Sequence, residues 1–130
     1  MKVVLDTHAL RHAIDSPDEL TRDGRSALED PRNELLISAI TVWELLMLAA
    51  KGRVRFAGGV DPWIDQAVAD LRVRIVPIDV DVVRRAFDLP GFDRKDPADR
   101  LIVATALVEQ ALLVTRDEWM VKWPGVKTVW

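Results

Sequence analysis

The chain has no cysteine among its 130 residues. That absence removes disulfide staples, thiolate metal sites and a thiol nucleophile from consideration, and it fits a reducing compartment. Long hydrophobic runs are missing as well. The apolar stretch Leu101 to Val108 is bounded by Arg100 and Glu109, well short of the ~20 residues a membrane helix needs. Nor does the N-terminus read as a secretion signal. Met1-Lys2-Val3-Val4-Leu5 meets Asp6 before a long apolar core or a small-residue cleavage site has formed. There is no low-complexity tract and no repeat of solenoid period. These absences lead us to expect a cytoplasmic protein with no membrane segment.

An excess of positive charge is also lacking. The formal charge is −3, which argues against a protein that grips nucleic acid by bulk positive potential. It does not exclude an enzyme acting on nucleic acid, because carboxylates gathered around bound cations reverse the local field. The 49% apolar and 30% charged residues are those of an ordinary globular chain, and the length suits one domain over residues 1–130.

Periodicity and punctuation place the elements. Lys2 to Leu5 is an apolar, β-branched run that ends at Asp6 and reads as a strand. Short helices follow over Thr7–Ile14 and Thr21–Leu28, and a buried-type strand over Glu34–Ser38. A helix over Ile40–Lys51 has Gly52 where a left-handed cap belongs. Gly58-Gly59 marks a loop, Pro62–Leu71 a helix, Arg74–Ile78 a strand and Val80–Leu89 a helix stopped by Pro90-Gly91. Pro97–Gln110 reads as a long helix, Leu112–Thr115 as a strand and Lys127–Trp130 as a terminal strand. Short apolar strands alternating with helices predict a three-layer α/β/α fold with a central parallel sheet of four or five strands.

Ligands of such sheets collect beyond the carboxyl ends of the strands, and acids stand there. Asp6 closes the first strand, Glu44 follows the second, Asp96 and Asp99 flank the start of the long helix, and Asp117 follows the fourth strand. Each has a structural reading. Thr41-Val-Trp-Glu44 has capping-box form; Asp96-Pro97-Ala98-Asp99 resembles an N-cap, a first-turn proline and an acid favoured by the helix dipole. Asp6 and Asp117 read equally as caps. What favours a site is convergence on one rim. Packed carboxylates repel unless protons, solvent or cations separate them, and hard cations such as Mg²⁺ take oxygen ligands. His8 and His12, four residues apart, could grip a metal, but no third ligand or glutamate motif accompanies them.

Four segments then take on a familiar order: Leu5-Asp6-Thr7-His8-Ala9-Leu10, Ser38 to Glu44, Arg94-Lys-Asp96-Pro-Ala-Asp99 running on to Ala106, and Leu113-Val-Thr115-Arg116-Asp117. With the closing Pro124 to Trp130, they resemble the VapC-type PIN-domain ribonuclease toxins of toxin–antitoxin pairs, over nearly the whole chain. The resemblance implies a Mg²⁺- or Mn²⁺-dependent endoribonuclease whose four acids are Asp6, Glu44, Asp99 and Asp117, with Asp96 either a further metal ligand or a helix cap. It implies an RNA substrate, a cognate antitoxin and a homodimer. On this reading Asp6 and Asp99 hold metal, Glu44 and Asp117 bind a second ion or orient water, Thr115 fixes Asp6 through its hydroxyl, and Arg116 touches the scissile phosphate. Lys51, Arg53, Arg55, Arg94, Lys95 and Arg100 are candidates for steering RNA phosphates. Trp43, Leu46, Met47, Trp63 and Phe87 are expected mostly in the core, with some left for an antitoxin helix. The alternatives are a non-catalytic module of the same fold, a phospho-accepting α/β domain weakened by the lack of an Asp-x-Asp pair, and a structure-specific DNA nuclease.

Overall fold

In the computed structural model, which describes residues 1–130, five strands form one sheet in the order β3-β2-β1-β4-β5, every pair parallel. The strands are β1 (Lys2–Leu5), β2 (Glu34–Ser38), β3 (Arg74–Val76), β4 (Leu112–Val114) and β5 (Thr128–Val129). Between them run α1 (Thr7–Asp15), a 3-10 turn (Pro17–Glu19), α2 (Arg22–Glu29), α3 (Ala39–Ala50), α4 (Val60–Leu71), α5 (Val80–Phe87), α6 (Pro97–Val108) and α7 (Glu118–Lys122). No helix is long and apolar enough to cross a membrane.

Alternation along the strands divides the core into two layers, since successive side chains of a strand point to opposite faces. Val3 and Leu5 join Leu35 and Ile37 in one apolar cluster with Leu10, Leu45 and Trp63. Val4, Leu36 and Leu113 face the other way, onto Ile102, Val103 and Ala106 of α6 and Met120 of α7. Helix α5 packs outside α6 through Val82, Ala86 and Ala104. The expected three layers are therefore present.

Helix starts are set by side-chain caps, which satisfy first-turn amides at about 1 kcal/mol each. Asp6, Thr21, Ser38, Asp79, Asp96 and Asp117 all accept hydrogen bonds from the first turns of their helices. The capping box expected at Thr41 is not formed. Ser38 caps α3, which starts at Ala39, one residue before the expected Ile40, and Thr41 is buried inside the helix. Glu44 consequently stands in the second turn and makes no cap. Strand β3 stops at Val76 rather than Ile78, because Pro77 has no amide to continue the ladder. Helix α6 ends at Val108, two residues early, and Gln110 takes a positive φ of 54°. The 3-10 turn and α7 were not anticipated; segments of three and five residues are too short for a hydrophobic period to register.

Of the five large apolar side chains expected mostly in the core, Trp63 alone is buried, at 8% exposure. Trp43 is 53% and Phe87 86% exposed. Helical periodicity places a residue on a stripe; it does not say which stripe meets the sheet.

Arg100 also departs from expectation. Instead of facing solvent as a phosphate-steering cation, it donates to the carbonyls of Ala86, Phe92 and Arg94 at 2.8 to 2.9 Å. One bond ties α5 and two tie the segment between α5 and α6 to the start of α6. Arg100→Met should destabilise the fold by about 2–3 kcal/mol, since bonds from a charged donor to buried carbonyls are lost together. Thermal melts should show a Tm lower by several degrees, and an unchanged Tm would show the segment to be held by other contacts.

Candidate active site

Asp6 ends the central strand, and the residue is 5% exposed. Burial of a carboxylate is unfavourable unless its oxygens are hydrogen-bonded. Here Oδ1 accepts from the Ala9 amide at 2.7 Å and Oδ2 from the Thr115 hydroxyl. The Thr115 oxygen in turn accepts from the Asp117 amide at 3.1 Å, so one threonine connects two acids. It can do so because Asp6 and Thr115 prolong the pairing of β1 and β4: the Asp6 amide donates to the Val114 carbonyl at 3.1 Å.

The other acids arrive from neighbouring elements. Thr7 donates its hydroxyl to Glu44 Oε1, binding α3 to the start of α1. Asp96 caps α6 through Oδ1 and Asp117 caps α7 through Oδ1, so each cap leaves the second oxygen out. Asp99, in the first turn of α6, accepts from Arg94 Nε at 2.8 Å through Oδ2. All five carboxylates, with Thr7, His8, Arg94 and Ile102, line one cleft of about 120 Å³. The caps expected of Asp6, Asp96 and Asp117 are thus formed, and the same three residues line the cleft.

The electrostatics follow from crowding and burial. Five carboxylates share this cleft with one guanidinium, that of Arg94. Burial pushes Asp99 up to about 7, helped by repulsion from Asp96 and opposed by Arg94. Asp6 is raised by burial, against the pull of the Thr115 and Ala9 hydrogen bonds. Glu44 is raised by burial and by Asp96, against its bond from Thr7. No three acids or histidines converge on a single point. The donor set is nevertheless all hard oxygen and in negative excess. Those are properties that suit Mg²⁺ or Mn²⁺ at this cleft, and Asp6, Glu44, Asp99 and Asp117 are the residues that could hold the ion.

Arg116 lies elsewhere. Its guanidinium sits 3.2 Å from His12 Nε2, 3.8 Å from Glu19 and over the Trp130 ring at 4.7 Å, and it does not line the cleft. His8 does line it, but His12 turns to Ser16 and Glu19, so the pair forms no metal grip. The cation that reaches the acids is Arg94. Its place five residues before Asp99, in the same loop-to-helix motif, was the available signal. Nothing local marked Thr7, whose partner Glu44 is 37 residues away.

Comparison with known proteins agrees with this geometry. The PIN domain pattern matches residues 3–123. The chain is 36% identical to Ribonuclease VapC22 of Mycobacterium tuberculosis over 130 residues, 98% of each chain. Its fold is similar to the crystal structure of VapBC2 from Rickettsia felis bound to a DNA fragment from their promoter, with a TM-score of 0.74 at 20% identity, covering 98% of this chain and 97% of that one. It is also similar to a toxin–antitoxin complex from Klebsiella pneumoniae, with a TM-score of 0.65 at 25% identity, covering 95% and 94%. The chain therefore belongs to the PIN-domain family and, within it, to the VapC-type members.

The raised Asp99 has a stability consequence. Between its unfolded value near 3.8 and its folded value of about 7, the folded state binds more protons than the unfolded one. Stability of the chelator-treated protein should therefore fall as pH rises through that window. Asp99→Asn removes this contribution and should be the more stable protein at pH 8 by about 1–3 kcal/mol. Paired melts across pH, in chelator, measure the difference; no gain at pH 8 would show the carboxyl to be ordinary.

Proposed function

We propose that the chain is a Mg²⁺- or Mn²⁺-dependent endoribonuclease, the toxin of a toxin–antitoxin pair. The observation that carries this reading is the gathering of Asp6, Glu44, Asp99 and Asp117 in one cleft at the carboxyl edge of the sheet. The relative named a ribonuclease and the solved toxin–antitoxin complexes support it.

Asp6 and Asp99 would hold the metal, with Glu44 and Asp117 holding a second ion or orienting water. A cation held by these acids would make bound water more acidic and would offset charge on the phosphate. The chain's own groups do the rest. Thr115 keeps Asp6 in place, leaving its remaining lone pairs toward the cleft. Glu44, steadied through Oε1 by Thr7, is placed to take a water proton on Oε2. Arg94 shields the acids from one another and offers a donor to an incoming phosphate. Asp96 acts as a helix cap with its second oxygen at the rim.

Asp6→Asn should abolish Mn²⁺-dependent cleavage of RNA oligonucleotides while leaving the circular dichroism spectrum unchanged. Cleavage at the wild-type rate by that variant would remove Asp6 from the mechanism. Titration calorimetry with Mn²⁺ tests the binding module alternative, which predicts no heat. Matched DNA and RNA strands test the DNA nuclease alternative, because a metal–phosphate site does not itself read the 2′-hydroxyl.

The partners in this reading are the antitoxin and a second copy of the chain. Helix α5 is apolar on both sides: Val82 and Ala86 face α6, while Val83 and Phe87 face outward beside Ile78. This surface forms a groove of about 420 Å³ and continues past Ile78 and Pro97 to Trp43. Asp81, Arg84 and Arg85 on α5 and Asp88 at its end carry both signs of charge, which suits a self-complementary two-fold contact. Phe87→Glu should convert a dimer to a monomer in light scattering without loss of Mn²⁺ binding. Wild-type protein that is monomeric at high concentration would overturn the dimer.

A further inference from the structure

Beside the acidic cleft lies a second depression of about 370 Å³, lined by Phe92, Asp93, Glu118, Trp119, Lys122 and Trp123 among others. Its walls are fixed. The Trp123 indole donates to the Pro90 carbonyl at 2.9 Å and meets Phe92 edge-to-face at 5.5 Å. Phe92 is buried at 4% exposure. Trp119 differs. It is 47% exposed, and no packing in the apolar core accounts for so large a ring at this place.

Two connections tie Trp119 to the acids. Asp117, a cleft residue, accepts from the Trp119 amide at 2.9 Å. Arg94, whose Nε bonds Asp99, also carries its guanidinium 5.9 Å from the centre of the Trp119 ring. Arg94 therefore bridges the ring and the Asp99 carboxylate. The depression adjoins the cleft through Asp93 and Glu118, chain neighbours of Arg94 and Asp117, so a polymer whose phosphate sits at the acids has a place there for an adjoining unit.

From this we infer that the depression is a nucleobase subsite, in which Trp119 stacks against the base next to the scissile phosphate and guanine is the preferred occupant. The inference rests on the reading of the cleft as a ribonuclease site. Proteins that select among single-stranded bases do so by stacking on aromatic rings and bonding the exposed Watson–Crick edge. Asp93 and Glu118 present carboxylate oxygens, which are acceptors only. Guanine offers two adjacent donors, N1–H and the N2 amino group, to a carboxylate. Uracil offers one. Lys122 supplies a cation at the rim for the sugar–phosphate chain.

The experiment measures binding by fluorescence anisotropy in the Asp6→Asn background, where strands stay intact. Short single-stranded RNAs differ at one scanned position, which carries guanine, uracil or no base. One position should show binding weakened about tenfold on loss of its base, the scale of a base–aromatic stack, with guanine tighter than uracil there. Trp119→Ala should weaken the intact strand by a similar factor and leave the abasic strand unaffected. Trp119→Phe should restore most of the binding. Because base removal is read with Trp119 in place, the test survives a Trp119→Ala protein that folds poorly. Equal binding of intact and abasic strands at every position overturns the subsite and leaves the ring as a surface for a protein partner. Equal losses for both strands on Trp119→Ala also overturn it. In either case, if otherwise native protein cuts RNA, the ribonuclease reading stands and the subsite alone falls. If that protein neither binds nor cuts RNA, both fall together.

Discussion

A carboxylate at the end of the central strand is the constraint on which this structure turns. Asp6 is nearly sealed from solvent, where an ionised group is unfavourable without donors to meet it. Its donors come from two directions: the Ala9 amide at the start of α1 and the hydroxyl of Thr115 beyond β4. The second donor requires β4 to lie beside β1, which the parallel pairing of Val3–Leu5 with Leu112–Val114 provides. Once Thr115 is placed, its oxygen receives the Asp117 amide, and a further acid is brought to the rim. Sheet order and site are therefore one arrangement.

The same economy is visible at the helix starts. A carboxylate has two oxygens and several lone pairs, so an acid can hold a first-turn amide with one oxygen and face the cleft with the other. Asp96 and Asp117 each cap through Oδ1 and line the cleft. Capping and site chemistry are not competing explanations here, because a βα connection puts the helix N-terminus where the strand's carboxyl end opens. The loop before α6 is braced from behind by Arg100 and carries Arg94 in front. One arginine holds the backbone, and the other tempers the carboxylates.

Much of this was legible in the sequence because it is written locally. Strand runs, proline and glycine stops, and acids at strand ends all act within a few residues of themselves. Leu5-Asp6-Thr7 and Val114-Thr115-Arg116-Asp117 announced both the strand ends and the acids beyond them. The errors fall where side chains choose partners across space. Arg116 and Arg94 both precede an acid in a motif, and nothing local told that one would turn to His12 and Trp130 and the other to Asp99. Arg100 read as a surface cation because the carbonyls it ties belong to α5 and to the loop before α6. Trp43 and Phe87 carry helical spacing but stand outside the core, since α3 and α5 each have apolar residues on more than one face.

By itself the sequence determined the alternation of strands and helices, the three layers, the acids and the family to which they belong. Period and capping are properties of short segments, and four ordered motifs are specific without any coordinates. Tertiary structure alone decided the strand order, the oxygen each acid commits to a donor, the identity of the guanidinium among them, and the apolar rings left uncovered. Those outcomes depend on residues that meet from far apart in the chain, as Thr115 meets Asp6 across 109 positions. Burial then sets how strongly each meeting counts.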